Sequence, residues 1–139
     1  MSTDLDAARI ILCEKSATCV FKKDNDEIVL FERGIKPLIN LIDSGKSFKG
    51  YSVADKVVGK AAALLYCKIG ISEIYAGVIS RIAGKVLEQA GISVVYGELT
   101  DRIINRNGTG FCPMESAVVD IDDTDEAETV LRQHVAALL

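Results

Sequence analysis

Residues 73–97 have the sequence EIYAGVISRIAGKVLEQAGISVVYG. The apolar run at 74–79 is typical of strands that are covered on both faces of an α/β sheet. Ser80 is a suitable N-cap for an amphipathic helix, and Gly91 is a suitable stop for it. The segment 93–96 has the same buried-strand pattern as the first. The stretch therefore predicts a βαβ unit with two parallel strands and a right-handed crossover.

The residues before this unit alternate between helix and strand patterns. A helical pattern covers 3–15. Two strand patterns at 18–22 and 27–32 are separated by a turn-forming segment, so they predict a β-hairpin. Pro37 then lies in the first turn of another predicted helix, which closes at 44–45.

The segments on either side of the unit complete the predicted elements. The segment 54–68 is almost wholly apolar in its second half, which predicts a helix packed on several sides. After the unit we expect a long loop, a short strand at 117–121 and a last helix capped at Asp123.

Composition limits the classes of function. A chain of 139 residues with 49% apolar and 26% charged residues predicts a single domain over 1–139. The net charge of −4 does not favour binding to nucleic acid. We expect a cytoplasmic protein with no membrane partner, because no long apolar run or signal segment is present. The four cysteines include no C-x-x-C pair and are expected to be reduced.

The predicted order helix, hairpin, helix, strand, helix, strand resembles the fold of zinc-dependent nucleotide deaminases. The supporting residues are Ile74-Tyr-Ala-Gly-Val78, Ala83-Gly84, Gly91-Ile92 and Val94-Val-Tyr-Gly97. This resemblance implies an α/β protein, a three-layer α/β/α sandwich of the cytidine deaminase-like type with a mixed sheet of four or five strands.

The zinc motifs of such deaminases are not present. One helix of the active enzymes begins with H-x-E and the next with P-C-x-x-C. The cysteine positions fall on Ser80 and Ala83, and the H-x-E position falls within 55–58, where histidine and glutamate are both missing. The single histidine, His134, lies on the last predicted helix. We therefore expect no metal, no cofactor and no conventional hydrolytic deamination.

Three short motifs outside the βαβ unit carry a closer resemblance. They are Asp55-Lys56-x-x-Gly59-Lys60, Asn105-Arg106 and Cys112-Pro-Met-Glu115. They resemble a family of small prokaryotic proteins known as domain of unknown function 1893, and the similarity covers nearly the whole chain. The resemblance implies the deaminase-like fold but no established activity.

The first predicted group of site residues lies at two helix N-termini. In the helix predicted at 54–68, Lys56 and Lys60 would lie one turn apart, near Asp55. Ser80 would add a hydroxyl and free backbone N–H groups, so the group would suit phosphate or carboxylate. In the alternative interpretation Ser52 and Asp55 form a capping box, Ser80 is a plain N-cap and the lysines are solvated. Lys60, which begins a buried helix, is expected to pair with Asp55 or Glu115.

The second predicted group lies in the glycine-rich segment 105–115. Asn105 and Arg106 could hold an oxyanion, and Cys112 could be a nucleophile at the start of a short helix. Glu115 could be an acid or a base. The alternative is a surface loop with a structural cysteine, since no histidine is near to act as the base.

Together these residues predict a polar cleft in place of the zinc site. We expect an enzyme or former enzyme that acts on a small anionic metabolite, nucleotide-like or phosphorylated. The catalytic candidates are Cys112, Glu115 and Asp55, and the ligand-binding candidates are Lys56, Lys60, Ser80, Asn105 and Arg106. The alternatives are a non-catalytic ligand sensor and a structural protein, and a homo-oligomer is expected.

Overall fold

The computed structural model describes residues 3–103 and 113–137. In chain order the helices and strands are α1 (Thr3–Glu14), β1 (Cys19–Lys23), β2 (Asp26–Leu30), α2 (Lys36–Asp43), β3 (Ser52–Val58), α3 (Lys60–Ile69), β4 (Glu73–Ser80), α4 (Arg81–Gln89), β5 (Ser93–Thr100), α5 (Pro113–Ala117) and α6 (Thr124–Ala137). Within these ranges no helix is both long enough and apolar enough to cross a membrane.

The five strands form one mixed sheet in the order β2-β1-β3-β4-β5. Strand β1 is antiparallel to both of its neighbours, whereas β3, β4 and β5 are parallel to one another. The predicted hairpin and the predicted parallel pair of the βαβ unit are therefore confirmed, as is the predicted mixed α/β class.

Helices cover both faces of the sheet and produce three layers. Side chains alternate along a strand, so neighbouring residues of β1 and β3 face opposite layers. Val20 and Ala54 pack with Ala8 of α1. Phe21 and Val53 belong to the larger core, to which α2, α3, α4 and α6 contribute. This larger core lies on the same side of the sheet as the cavity described below.

The caps predicted from sequence are present at two helices. Ser80 is the N-cap of α4, and its Oγ accepts a hydrogen bond from the Ala83 backbone N–H at 3.3 Å. Gly91 follows this helix with φ of +82°, a conformation that glycine adopts without strain. At the start of α6 the Asp123 carboxylate accepts a hydrogen bond from the Glu126 N–H at 3.0 Å.

The helix predicted at 54–68 is wrong in its first half. Residues 52–58 form strand β3, which is hydrogen-bonded to β1 on one side and to β4 on the other. The β-branched Val53, Val57 and Val58 suit a strand, and Gly59 separates that strand from α3. The capping box of the alternative interpretation does not form, because the Ser52 hydroxyl donates to Glu73 Oε2 at 2.6 Å.

The strand predicted at 117–121 is also wrong. Residues 113–117 form the short helix α5, and 118–120 are a turn. The fifth strand of the sheet is instead β3, from the segment predicted to be helical. Strand β5 is longer than predicted, because its pairing with β4 continues to Thr100.

Candidate functional site

A cavity of about 860 Å³ lies at the carboxyl end of β3. Its walls come from the start of β1, the residues that lead into α2, the first two turns of α3 and the helix α5. In open α/β sheets, ligands bind outside the carboxyl ends of the parallel strands, so this is where the fold is expected to place a site.

The inner wall of the cavity differs from its mouth. Cys19, Leu38, Ala61 and Tyr66 are buried and line its inner part. The exposed residues Glu32, Arg33, Lys56 and Val57 line its mouth. Since the inner side chains are shielded from solvent, a ligand that reached them would be largely removed from water.

Asp55 and Tyr66 form a hydrogen-bonded pair on the inner wall. The phenol Oη donates to Asp55 Oδ2 at 2.5 Å, and the Val57 backbone N–H donates to Asp55 Oδ1 at 3.3 Å. Burial raises the pKa of the Asp55 carboxyl from 3.8 to about 7, although both hydrogen bonds favour the charged form and oppose the rise. Near neutral pH this carboxyl can therefore both accept and release a proton.

Cys19 is the third member of this hydrogen-bonded cluster. Its Sγ lies 3.2 Å from Tyr66 Oη. Burial, together with the nearby Asp55 charge, raises the pKa of both the Cys19 thiol and the Tyr66 phenol well above their usual ranges. Both groups are thus neutral at physiological pH, and Asp55 is the member of the cluster that can change its charge there.

Three basic side chains line the cavity, and the described part of the chain provides no ion-pair partner for any of them. Arg33 and Lys56 are exposed, and Lys36 is half-buried. Among the described residues none of the three has a side-chain partner, whereas Lys46, Lys60, Lys68, Arg81 and Arg132 each pair with a carboxylate. Glu32 is the opposing charge at the mouth. The mouth thus carries unpaired positive charge that an anion could neutralise.

Glu115 is held by the first turn of α3. Its carboxylate accepts hydrogen bonds from the backbone N–H groups of Lys60 at 2.6 Å and Ala61 at 2.8 Å. The N-cap residue of this helix, Gly59, has no side chain that could do so. A Cβ at Gly59 would lie only 2.2 Å from Glu115 Oε1. Glu115 therefore caps α3 from a distant part of the chain, and its predicted role in proton transfer stays a prediction.

The Lys60 side chain has a different partner from the two predicted. Lys60 is 5% exposed, and its ammonium donates to the Val119 carbonyl at 3.1 Å. The same group pairs with Asp122 at 3.2 Å. Lys60 thus joins α3 to the connection between α5 and α6, and the predicted pairing with Asp55 or Glu115 is wrong.

The structure does not assemble the predicted cleft as a whole. Asp55, Lys56 and Glu115 line the cavity, but Lys60 and Ser80 are not among its lining residues. Lys56 lies on strand β3, so it is not one helical turn from Lys60 as predicted. Ser80 is buried in its capping role. The remaining candidates, Asn105, Arg106 and Cys112, lie outside the described residues.

The cavity residues that sequence reasoning missed include Arg33, Lys36 and Tyr66. Arg33 and Lys36 flank Gly34 just before the predicted helix that contains Pro37, and this basic pair at a helix start was the available signal. Tyr66 was counted with the apolar residues of a buried helix. Its hydroxyl was the signal, since a buried tyrosine hydroxyl usually has a hydrogen-bond partner.

The parts of the chain that the structure describes hold no group of three His, Cys, Asp or Glu side chains arranged to bind a metal ion.

No curated protein matches the chain. A crystal structure of a DUF1893 family protein (TM1506) from Thermotoga maritima is similar, with a TM-score of 0.88 and 29% identity. The similarity covers 96% of this chain and 91% of that chain. Residues 7–135 match the family described as a domain of unknown function, DUF1893 (TM1506), and the chain therefore belongs to this family.

Proposed function

We propose that this protein binds a small anionic metabolite, phosphorylated or nucleotide-like, in the cavity beside β3. The observation that carries the proposal is the set of cations Arg33, Lys36 and Lys56 around one concave site, none of which pairs with a described carboxylate. At the mouth these three cations outnumber Glu32, and a locally positive surface concentrates anionic ligands. The proposed site retains Asp55 and Lys56 from the predicted cleft, and Arg33 and Lys36 replace Lys60 and Ser80 as anchors.

The proposal includes proton transfer by Asp55. Its carboxyl lies on the inner wall of the cavity, held by Tyr66 at 2.5 Å. A general acid or base is most effective when its pKa is near the working pH, and burial brings the pKa of Asp55 to about 7. A non-catalytic sensor would use the same cations but would transfer no proton through Asp55.

The cytidine deaminase-like type of fold is part of the same proposal. It is supported by the order of α1, the β1–β2 hairpin, α2, β3, α3 and β4, which is the helix, hairpin, helix, strand, helix, strand order of that type. In this register the two helices that would carry the zinc motifs are α2 and α3, both beside the cavity, and no longer the segment 55–58 and the start of α4 that the sequence predicted. They begin with Lys36-Pro37-Leu38 and Lys60-Ala61-Ala62, which provide no histidine or cysteine ligands.

A second candidate function is a structural homo-oligomer. Strand β5 is an edge of the sheet, and its Val95, Tyr96 and Leu99 are 36%, 45% and 36% exposed. Exposed apolar side chains on an edge strand favour association with another chain. Light scattering after size-exclusion chromatography measures this directly, and a monomeric mass for the wild type would remove this candidate.

The proposed binding function can be tested by thermal unfolding with inorganic phosphate, ribose 5-phosphate and nucleoside monophosphates. A ligand at about 100 times its Kd adds roughly 2.7 kcal/mol to the free energy of unfolding. We expect Lys36→Ala and Lys56→Ala to reduce the stabilisation. Lys85→Ala is the matched control, because Lys85 is an exposed lysine of α4 that is not among the cavity-lining residues.

Stabilisation that is lost in the two cavity variants and retained in Lys85→Ala would support the site. Equal loss in all three variants would indicate a nonspecific effect of charge and would count against it. Once a ligand is found, assays of its chemical conversion separate the enzyme from the sensor. An enzyme converts the ligand and loses that conversion in Asp55→Asn, whereas a sensor leaves the ligand unchanged in both proteins.

A further inference from the structure

The inner wall of the cavity is mostly apolar. The side chains that make it so are Ile35, Leu38, Ala61, Ala62, Met114 and Val135. They come from the start of α2, from α3, from α5 and from α6. Such a wall cannot hydrogen-bond to a sugar or to other polar groups, so it favours a ligand with an apolar surface.

The size of the cavity indicates a ligand larger than a simple anion. Pockets that bury drug-sized molecules have volumes of about 300–1,000 Å³. The cavity, at about 860 Å³, lies within that range. An inorganic phosphate could meet the cations at the mouth, but it would leave the apolar wall in contact with water.

The polar groups are separated along the depth of the cavity. Arg33 and Lys56 are exposed at the mouth, and Lys36 is half-buried. Asp55 lies against the fully buried Tyr66 and the buried Cys19 on the inner wall. Since a carboxylate accepts hydrogen bonds, the inner end of the cavity favours a ligand group that donates them.

We propose that the ligand is an amphipathic anion that lies in one orientation. Its anionic end binds Arg33, Lys36 and Lys56, its apolar body packs on the wall from α2 and α3, and its inner end donates an N–H or O–H hydrogen bond to Asp55. This inference rests on the proposed function, since it specifies the ligand class of the same cavity.

Three sulfonates with the same anionic group test this orientation with the full chain by isothermal titration calorimetry. They are methanesulfonate, naphthalene-1-sulfonate and 5-aminonaphthalene-1-sulfonate. We expect the naphthalene compound to bind at least tenfold more tightly than methanesulfonate, because it covers the apolar wall. We expect the amino compound to bind more tightly again, and Asp55→Ala to remove that last advantage.

Ala62→Leu distinguishes the binding of an anion by the cations, which is the proposed function, from the packing of an apolar body on the wall, which is the further inference. Ala62 is a nearly buried residue of α3 that lines the cavity, so a larger side chain fills part of it while the cations remain. We expect at least a tenfold loss of affinity for naphthalene-1-sulfonate and an unchanged response to methanesulfonate. Val135→Gln, on the α6 side of the cavity, makes the wall polar without filling it and gives the same test if Ala62→Leu does not fold.

The two failures are distinguishable. If the three sulfonates bind with equal affinity and lose it together in Lys36→Ala, the cavity binds anions but the inference about the apolar body is overturned. If neither sulfonates nor phosphate bind, the proposed function fails and the inference fails with it. Tight naphthalene-1-sulfonate binding that survives both wall variants and Lys36→Ala would place the binding elsewhere and would also overturn it.

Discussion

Tyr66 is the residue that most directly controls the protonation of Asp55. Its phenol donates to the carboxylate at 2.5 Å, and this hydrogen bond favours the charged form, in opposition to burial. Tyr66→Phe removes the hydrogen bond and keeps the ring. We therefore expect the pKa of Asp55 to rise above about 7, as measured by the pH dependence of its carboxyl ¹³C chemical shift.

A matched control for this change is Tyr75→Phe. Tyr75 lies under the Arg9 guanidinium, which is 4.1 Å from its ring centroid, on the α1 side of the sheet. Loss of the Tyr75 hydroxyl should leave the pKa of Asp55 at its wild-type value. A pKa that does not change in Tyr66→Phe would mean that burial alone sets the protonation of the carboxyl.

The Asp55–Tyr66 pair could not be predicted while 54–68 was interpreted as one helix. In a continuous helix, residues 55 and 66 would be about 16 Å apart along the axis, because each residue adds about 1.5 Å. In the structure β3 ends at Val58, the chain turns at Gly59, and α3 runs back along the sheet. The contact therefore depends on where one element ends, which the apolar pattern did not define.

The boundary between β3 and α3 could not be recognised from the sequence, because Ala54, Lys56 and the alanines after Lys60 are all compatible with a helix. Pairing of β3 with β1 and β4 is a tertiary effect that overrides this preference. By contrast, the β4–α4–β5 unit was predicted from local signals alone, since Ser80 and Gly91 mark both ends of its helix. The resemblance to the DUF1893 family covered nearly the whole chain, but it did not show where β3 ends and α3 begins.

The cap that Glu115 provides for α3 gives a prediction at the scale of this element. Removal of a side-chain cap costs about 0.5–2 kcal/mol of stability, and we expect a loss in this range for Glu115→Ala. Gly59→Ala should also destabilise the wild type, because its Cβ would lie 2.2 Å from Glu115 Oε1. The backbone of Gly59, with φ of −103°, is one that alanine can adopt.

The two changes should not be additive. In a Glu115→Ala background the carboxylate is gone, so Gly59→Ala should cost much less than it does in the wild type. Urea unfolding of the four proteins of this double-mutant cycle measures the difference. Gly84→Ala is the control, because nothing lies within 4 Å of its added Cβ and alanine favours a helix. Additive costs at positions 59 and 115 would contradict the steric explanation.

For the whole molecule, the topology of the sheet determines which residues meet at the cavity. The cavity lies where β1, β3 and the starts of α2 and α3 come together, and these segments are separated along the sequence. Local patterns predicted the hairpin and the parallel pair but not that β3 lies between them. The predicted cleft therefore included Ser80 at the start of α4, one strand–helix unit further along the chain than the cavity.

The same topology makes global stability depend on pH through Asp55. The pKa of this carboxyl is about 7 in the folded protein and 3.8 is its ordinary value, so the folded state holds an extra proton between these two pH values. Its contribution to stability is fully present below about pH 4, is lost as the pH rises towards 7 and changes no further above that.

Asp26 and Asp43 have the opposite effect in a different window. Hydrogen bonds from Lys46 and Arg132, respectively, lower their pKa values below 3.8, so they contribute stability that is lost as the pH falls below that value.

A comparison of the wild type with Asp55→Asn between pH 4 and 7 therefore isolates Asp55. We expect the free energy of unfolding of the wild type to fall with pH more steeply, by up to about 1.4 kcal/mol per pH unit. Parallel curves for the two proteins in urea titrations would show that Asp55 titrates normally, and the proposed role of this carboxyl as a proton carrier near neutral pH would then lose its physical basis.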